Sequence, residues 1–235
     1  MLHVILLHGL GAHGITLTVF ENHIKDLNIK IHVCSYLTFF NTIENITKKI
    51  IKYVQHNINP SDDILIIGHS LGGIIARHVC SLITTHRIRT VMTLGTPHDG
   101  AILANRIFAF LPPIKLIKIV RQLSKQSKHI NSCPHFPDHI RHVNIIGIKK
   151  LDWINPLNWI TLLMLSNEHS HDGVVEYDSC ISTRNDAVHE IYISHIGMLF
   201  SEHVERIISY EIYRIIKDEM RNEDQTNWRF SCNKT

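Results

Sequence analysis

The sequence predicts an α/β fold built on a mostly parallel sheet, and three observations carry that expectation. Short β-branched runs alternate with longer segments of helical spacing along the whole chain. The runs are apolar throughout instead of alternating with polar residues, as strands covered on both faces require. No internal repeat or linker divides the 235 residues, a length that one α/β domain commonly reaches.

The elements follow in order. "HVILLHG" (3–9) reads as a first strand and "IKIHVCSY" (29–36) as a second, with "ITLTVFENHIKDL" between them at roughly helical spacing. In "NTIENITKKIIKYVQHNI" the residues Ile43, Ile46, Ile50, Val54 and Ile58 form one helical stripe. Asn41 is the expected N-cap, with Glu44 three residues on in a capping-box spacing, and Pro60 closes the segment. "DILIIGHS" (63–70) is a third strand, and a helix is expected from Leu71 to about His86. "RTVMTLGTP" (89–97), "HVNIIGI" (142–148) and "VHEIYIS" (188–194) supply three more strands, for six in all. A last helix from Ser201 to about Lys217 turns Val204, Ile207, Ile208, Ile212, Ile215 and Ile216 inward. The expected organisation is one domain over residues 1–217, with a polar tail at 218–235. Residues 98–141 and 149–171 break the alternation and read as cap- or lid-type insertions.

Composition excludes several functions. The net charge of +3 is small and not gathered into a basic run, so no nucleic-acid partner is expected. The opening "MLHVILLHGL" lacks the charged start and cleavage site of a signal peptide, and no apolar stretch is long enough to span a bilayer. Five scattered cysteines lack metal-site spacing and read as free thiols, so an intracellular, cytoplasmic location is expected. The 19 histidines are dispersed and give no ligand set, so neither a metal nor a cofactor is expected.

The chemistry concentrates at "DDILIIGHSLGGIIARH". A nucleophile elbow needs a strand before the serine, a helix after it, and glycines where the two backbones approach. "ILIIG", Gly68, Gly72 and "GGIIARHVCSLI" meet those needs around Ser70. A serine hydroxyl then requires a base, and the base an orienting acid. In this chain order the base follows the last strand, where His195 stands, whereas His189 falls in the strand and His203 in the helix. Asp172, in the turn "HSHDGVV", is the preferred acid. Asp152 is its rival, and Glu168 and Asp178 are weaker candidates. The oxyanion donors are expected to be the backbone N–H groups of Leu71, directly after the nucleophile, and Leu10, in "HGLGAHG". His8 and His69 flank these positions and read as packed loop residues bonded to backbone.

Taken together, "HGLG", "GHSLGG", "LGTPHDG", "HDGVV" and "SHIGML" resemble the lipase-like branch of the α/β-hydrolase superfamily, closest in look to small bacterial triacylglycerol lipases and related esterases. The resemblance runs from about residue 2 to residue 217 and is weak across 101–141 and 149–170. It implies an α/β-hydrolase fold with a helical insert over the active site, Ser70 as nucleophile, His195 as base, Asp172 as acid, and Leu10 and Leu71 as oxyanion donors. Some members of that family bind calcium or zinc near the site; no ligand set here matches one. The insert residues Ile102, Leu103, Ile107, Phe108, Phe110, Leu111, Ile114, Leu116, Ile117 and Ile119 read either as a lid or acyl-binding wall or as ordinary helix-to-core packing. Trp153 and Trp159 further on would line the same pocket or make peripheral contact with a membrane surface, and together these residues favour a hydrophobic acyl substrate. The expected activity is therefore hydrolysis of a carboxylic ester or lipid. The alternatives are a phospholipase, thioesterase or acyltransferase using the same triad, or a non-catalytic ligand-binding scaffold.

Overall fold

A computed structural model describes residues 1–18, 20, 29–101, 118–125, 127–150, 170–181 and 184–232, with side chains of the last helix described to residue 221. Its centre is a six-stranded sheet of β1 (Leu2–Leu7), β2 (Lys30–Cys34), β3 (Asp63–His69), β4 (Arg87–Leu94), β5 (Arg141–Gly147) and β6 (Ala187–Ile191). The strand order is β2-β1-β3-β4-β5-β6 and every pair is parallel. The carboxyl ends of all six strands therefore lie along one edge.

The continuous apolar runs have the origin the sequence suggested. Successive side chains of a strand point to opposite faces, and here both faces are covered. Ile5, Leu7, Ile64, Ile66 and Val91 pack on one face against α1 (Ile43–Asn57) and α2 (Leu71–Leu82). Val4, Leu6, Leu65, Ile67, Met92, Val143 and Ile145 pack on the other against α6 (Glu202–Cys232). Three short helices, α3 (Lys118–Gln122), α4 (Lys128–Asn131) and α5 (Tyr177–Cys180), lie in the connections. Ile119, Val120, Leu123 and Ile130 of this region join the first core. β6, at the sheet edge, buries none of its residues fully.

Several boundaries differ from the expectation, each for a local reason. The cap of α1 is Thr42, whose hydroxyl accepts from Asn45 N at 3.3 Å. Asn41 instead donates its side-chain amide to Leu37 O at 2.7 Å, and Glu44 accepts from Gln122 Nε2 at 2.8 Å, so the capping box does not form. α2 stops at Leu82, ahead of the β-branched run Ile83-Thr84-Thr85. β4 stops at Leu94 because Gly95 takes φ +54°. α6 continues past Lys217 to Cys232, since no glycine or proline follows Gly197 to break it.

α6 is also tied to the sheet by charge. Glu211, buried on its inner face, accepts from Arg141 of β5 at 3.0 Å and from Arg214 at 2.8 Å, and Arg214 reaches Thr90 of β4 at 2.9 Å. Two guanidinium forks on one buried carboxylate leave little of its bonding capacity unused. Among the described residues, Cys34, Cys80, Cys133 and Cys180 are buried free thiols. Burial pushes the Cys34 thiol up to about 12 and Cys133 to about 11, which keeps both protonated and unreactive. Among the described residues, no helix is long and apolar enough to cross a membrane. Trp153, Trp159, Asp152, Glu168 and the apolar run 102–117 lie outside the described residues.

Candidate active site

The site is assembled where the strands end. β3 delivers Ser70 at φ 54° and ψ −120°, alone among the described non-glycine residues in taking a positive φ. Such a conformation costs on the order of 1–3 kcal/mol. It is held by Ser70 N donating to Leu94 O at 2.8 Å and Gly73 N donating to Ser70 O at 3.0 Å. The elbow is feasible only because its neighbours lack side chains. A Cβ on Gly68 would stand 2.6 Å from the backbone of Gly72 and Gly73. The turn presents Ser70 half exposed at the start of α2, whose first N–H groups and positive end face the same space.

His195 and Asp172 meet directly. His195 Nδ1 lies 2.6 Å from Asp172 Oδ2, with both side chains buried. Asp172 is fixed on its other oxygen, which accepts from Val174 N at 3.0 Å and Val175 N at 2.8 Å. Its backbone carbonyl also accepts from His195 N at 2.8 Å. The carboxylate thus requires Nδ1 to be the donor, and the free ring nitrogen, Nε2, is left as an acceptor. Asp178 sits in α5, and the carboxylate bonded to His195 is that of Asp172. Leu71 opens α2 as its first residue, and Leu10 lies in the loop after β1. That loop reaches the serine, since a Cβ on Gly9 would stand 3.1 Å from Ser70 Cβ.

Two further residues close around the pair. Gly95 ends β4 so tightly against it that a Cβ would sit 2.9 Å from both Asp172 Oδ2 and His195 Nδ1. The sequence motif "LGTPHDG" contains this glycine, but its spacing does not reveal what Gly95 faces. His69 is buried, with its Nε2 3.0 Å from His195 O and its ring centroid 4.7 Å from that of His195. Burial pushes the His69 imidazole down to about 3, so it is neutral and donates from Nε2 to that carbonyl. The packed reading of His69 agrees with this bond, and that of His8 with its contacts to Gly9 O at 2.9 Å and Tyr36 N at 3.2 Å. The rest of "LGTPHDG" is anchored by Arg77 of α2, which donates to His98 O at 2.9 Å and Cys133 O at 3.1 Å.

Buried neutral histidines have a consequence for stability. Burial pushes His32 down to about 4 and His142 to about 4, alongside His69 at about 3, from an ordinary value of 6.5. The unfolded chain binds protons at these sites more readily than the folded one, so stability is full above pH 6.5 and falls as the pH drops toward 4. Urea unfolding at pH 7.5 and 5.5 is expected to differ by roughly 1 kcal/mol for each of the three, with the acid sample less stable. Equal stability at the two pH values would show that these rings take up protons as readily in the folded chain as in the unfolded one. Among the described residues no three His, Cys, Asp or Glu side chains are grouped to hold a metal ion.

The PGAP1-like alpha/beta domain matches residues 23–208, most of the chain. The chain belongs to that family. No curated protein matches the sequence. Solved structures similar to this PGAP1-like domain include the mature lipase BlEst2 of Bacillus licheniformis, with a TM-score of 0.72 and 13% identity over 89% of this chain and 91% of that one. Phospholipase PlaB of Legionella pneumophila is similar at a TM-score of 0.58 and 21% identity, over 77% of this chain and 46% of that one. The metagenomic carboxyl esterase MGS0156 is similar at 0.60 and 14%, over 83% and 64%. At these identities the likeness is one of fold, and the fold of this PGAP1-like domain is that of an α/β-hydrolase.

Proposed function

We propose that this PGAP1-like domain is a serine hydrolase that cleaves carboxylic esters of hydrophobic acyl groups. The observation that carries the reading is the Asp172–His195 bond, joined through His69 to the strand-to-helix elbow that holds a strained Ser70. Asp172 holds the imidazole with its proton on Nδ1, so Nε2 takes the hydroxyl proton as Ser70 Oγ bonds to the ester carbonyl carbon. The carbonyl π pair moves to oxygen, where the N–H groups of Leu10 and Leu71 receive it. Collapse of the tetrahedral adduct expels the alcohol, which takes the proton from His195, and leaves an acyl group on Ser70. Water then adds to the acyl carbon with His195 again as base, and the acid departs.

Exposed Leu37, Phe39 and Phe40 after β2, and Ile196 and Phe200 after β6, surround the same edge of the sheet and support a hydrophobic acyl group. Residues 98–141 and 149–171 leave that edge after β4 and β5; Ile119, Val120, Leu123 and Ile130 pack into the first core, and the rest of the two segments is proposed as the cap that selects the acyl group. A phospholipid head group is the nearest alternative to a simple ester, and the triad chemistry is the same for both. The test is incubation with a fluorophosphonate, followed by peptide mass spectrometry. The expected result is one adduct, on the peptide containing Ser70. An unmodified Ser70 peptide in folded protein would overturn the reading. Turnover of an acyl series, with a phospholipid and a thioester alongside, then defines the substrate class.

A further inference from the structure

The oxyanion donor proposed at Leu10 stands on a loop, and an N–H on a loop is useful only if its direction is fixed. A planar trans peptide points its N–H opposite to the preceding C=O, so the direction of Leu10 N–H is set by whatever holds Gly9 O. That carbonyl accepts from Ala12 N at a long 3.4 Å, and the shorter contact, 2.9 Å, is to His8 Nδ1. The other ring nitrogen, His8 Nε2, lies 3.2 Å from Tyr36 N. A backbone N–H only donates, so His8 Nε2 must accept and the ring proton must reside on Nδ1, aimed at Gly9 O. Burial holds the His8 imidazole below its usual range, in the neutral state this arrangement needs.

Residues 36–39 make further contacts on both sides of Leu10. The Tyr36 ring stacks on His8 with centroids 4.0 Å apart and planes at 18°, and its hydroxyl donates to His8 O at 2.6 Å. Beyond Leu10, Gly11 N donates to Thr38 Oγ1 at 3.0 Å, and a Cβ on Gly11 would stand 3.3 Å from the Phe39 ring. His8, Tyr36 and Thr38 are all buried, whereas Leu10 itself is exposed. None of these contacts is needed to pair β1 with β2, whose ladder ends at Leu7 and Cys34.

We propose that His8 and Tyr36, seconded by Thr38, are positioning residues that lock the Gly9–Leu10 peptide with its N–H turned toward the ester oxygen. The proposal rests on the ester-hydrolase reading and on Leu10 as a donor. Without the lock, the peptide plane rotates and the hole keeps only Leu71.

The test measures kcat and KM on a short p-nitrophenyl ester, together with inhibition by an alkylboronate, whose tetrahedral adduct places an oxygen in the same hole. His8→Leu is expected to lower kcat about 100-fold, with KM changed less than about threefold and the boronate inhibition constant raised by a factor comparable to the loss in kcat. His8→Asn, whose amide nitrogen can stand in for Nδ1, is expected to recover about tenfold of that loss. Should His8→Leu fail to fold, Tyr36→Phe and Thr38→Val carry the test with expected losses of about tenfold each, and Thr38→Ser restores most of the rate. Variants that fold and keep kcat within twofold of the native chain, or lose kcat with boronate affinity unchanged, overturn the lock. A native chain that takes up no fluorophosphonate at Ser70 instead removes the hydrolase reading beneath it.

Discussion

Asparagine at position 172 is expected to lower kcat about 10,000-fold while leaving the fold intact. Asp172 Oδ1 accepts from the N–H groups of Val174 and Val175, and both of those are donors only. An asparagine therefore keeps its oxygen on that side and turns its NH2 toward His195 Nδ1, 2.6 Å from the present Oδ2. Two donors cannot share that contact. The imidazole moves its proton to Nε2, and the nitrogen that should take the Ser70 proton becomes a donor. The side chain keeps its volume and its two backbone bonds, so thermal unfolding is expected to change little. Kinetics on a short p-nitrophenyl ester beside a melting curve check both halves. A loss below tenfold would exclude Asp172 as the acid and return the assignment to Asp152, for which Asp152→Asn is the companion variant.

The largest effect on stability is expected at Gly72. An added Cβ would overlap Leu7 O and stand 2.7 Å from Leu7 C and 3.1 Å from His8 O. These are backbone atoms at and just after the carboxyl end of β1, a strand fixed by parallel ladders to β2 and β3 on either side. No rotamer change relieves the overlap; α2 has to lift away from the strand. Gly72→Ala is expected to cost about 3 kcal/mol or more, a melting temperature lower by roughly 10 °C. Gly73→Ala meets the Thr96 side chain and not a strand backbone; turning the hydroxyl and methyl relieves only part of that overlap, since Thr96 Cβ would itself stand 2.8 Å away, and the cost is expected to be smaller than at Gly72. Differential scanning calorimetry of the two variants tests the contrast, and equal melting temperatures would contradict it.

The sheet was legible because its strands are short Ile- and Val-rich runs set between helical stripes, a pattern that depends on nearest neighbours in sequence. Ile43, Ile46, Ile50 and Val54 are buried as their spacing requires, and so are Val204, Ile208 and Ile212. Ser70 was legible for the same reason, since strand, elbow and helix are contiguous. Chain order located His195, while Asp172 and Asp152 stayed in competition because a loop between strands carries no periodicity to say which carboxylate returns to the edge. Gly95 and His69 could not be read as neighbours of His195. Their contacts cross from β3 and β4 to the loop after β6, and pairing at such separations leaves no mark in local spacing. The cap of α1 was misplaced by one residue because Asn41 and Thr42 are both competent caps. Only the bond from Asn41 to Leu37 O decides between them.

The proposed base belongs to the rim of this sheet and the proposed nucleophile to its middle. Ser70 leaves β3, flanked on both sides by buried strands, whereas His195 follows β6, which pairs on one side only and exposes Val188. Edge elements with little burial open at lower free energy than the whole molecule does. Fraying of β6 would carry off the proposed proton acceptor while the elbow, the loop of Leu10 and both cores stayed in place. The proposed hydrolase activity can thus be lost without denaturation, and its resistance to inactivation would be set by one short outer strand and not by the bulk of the fold.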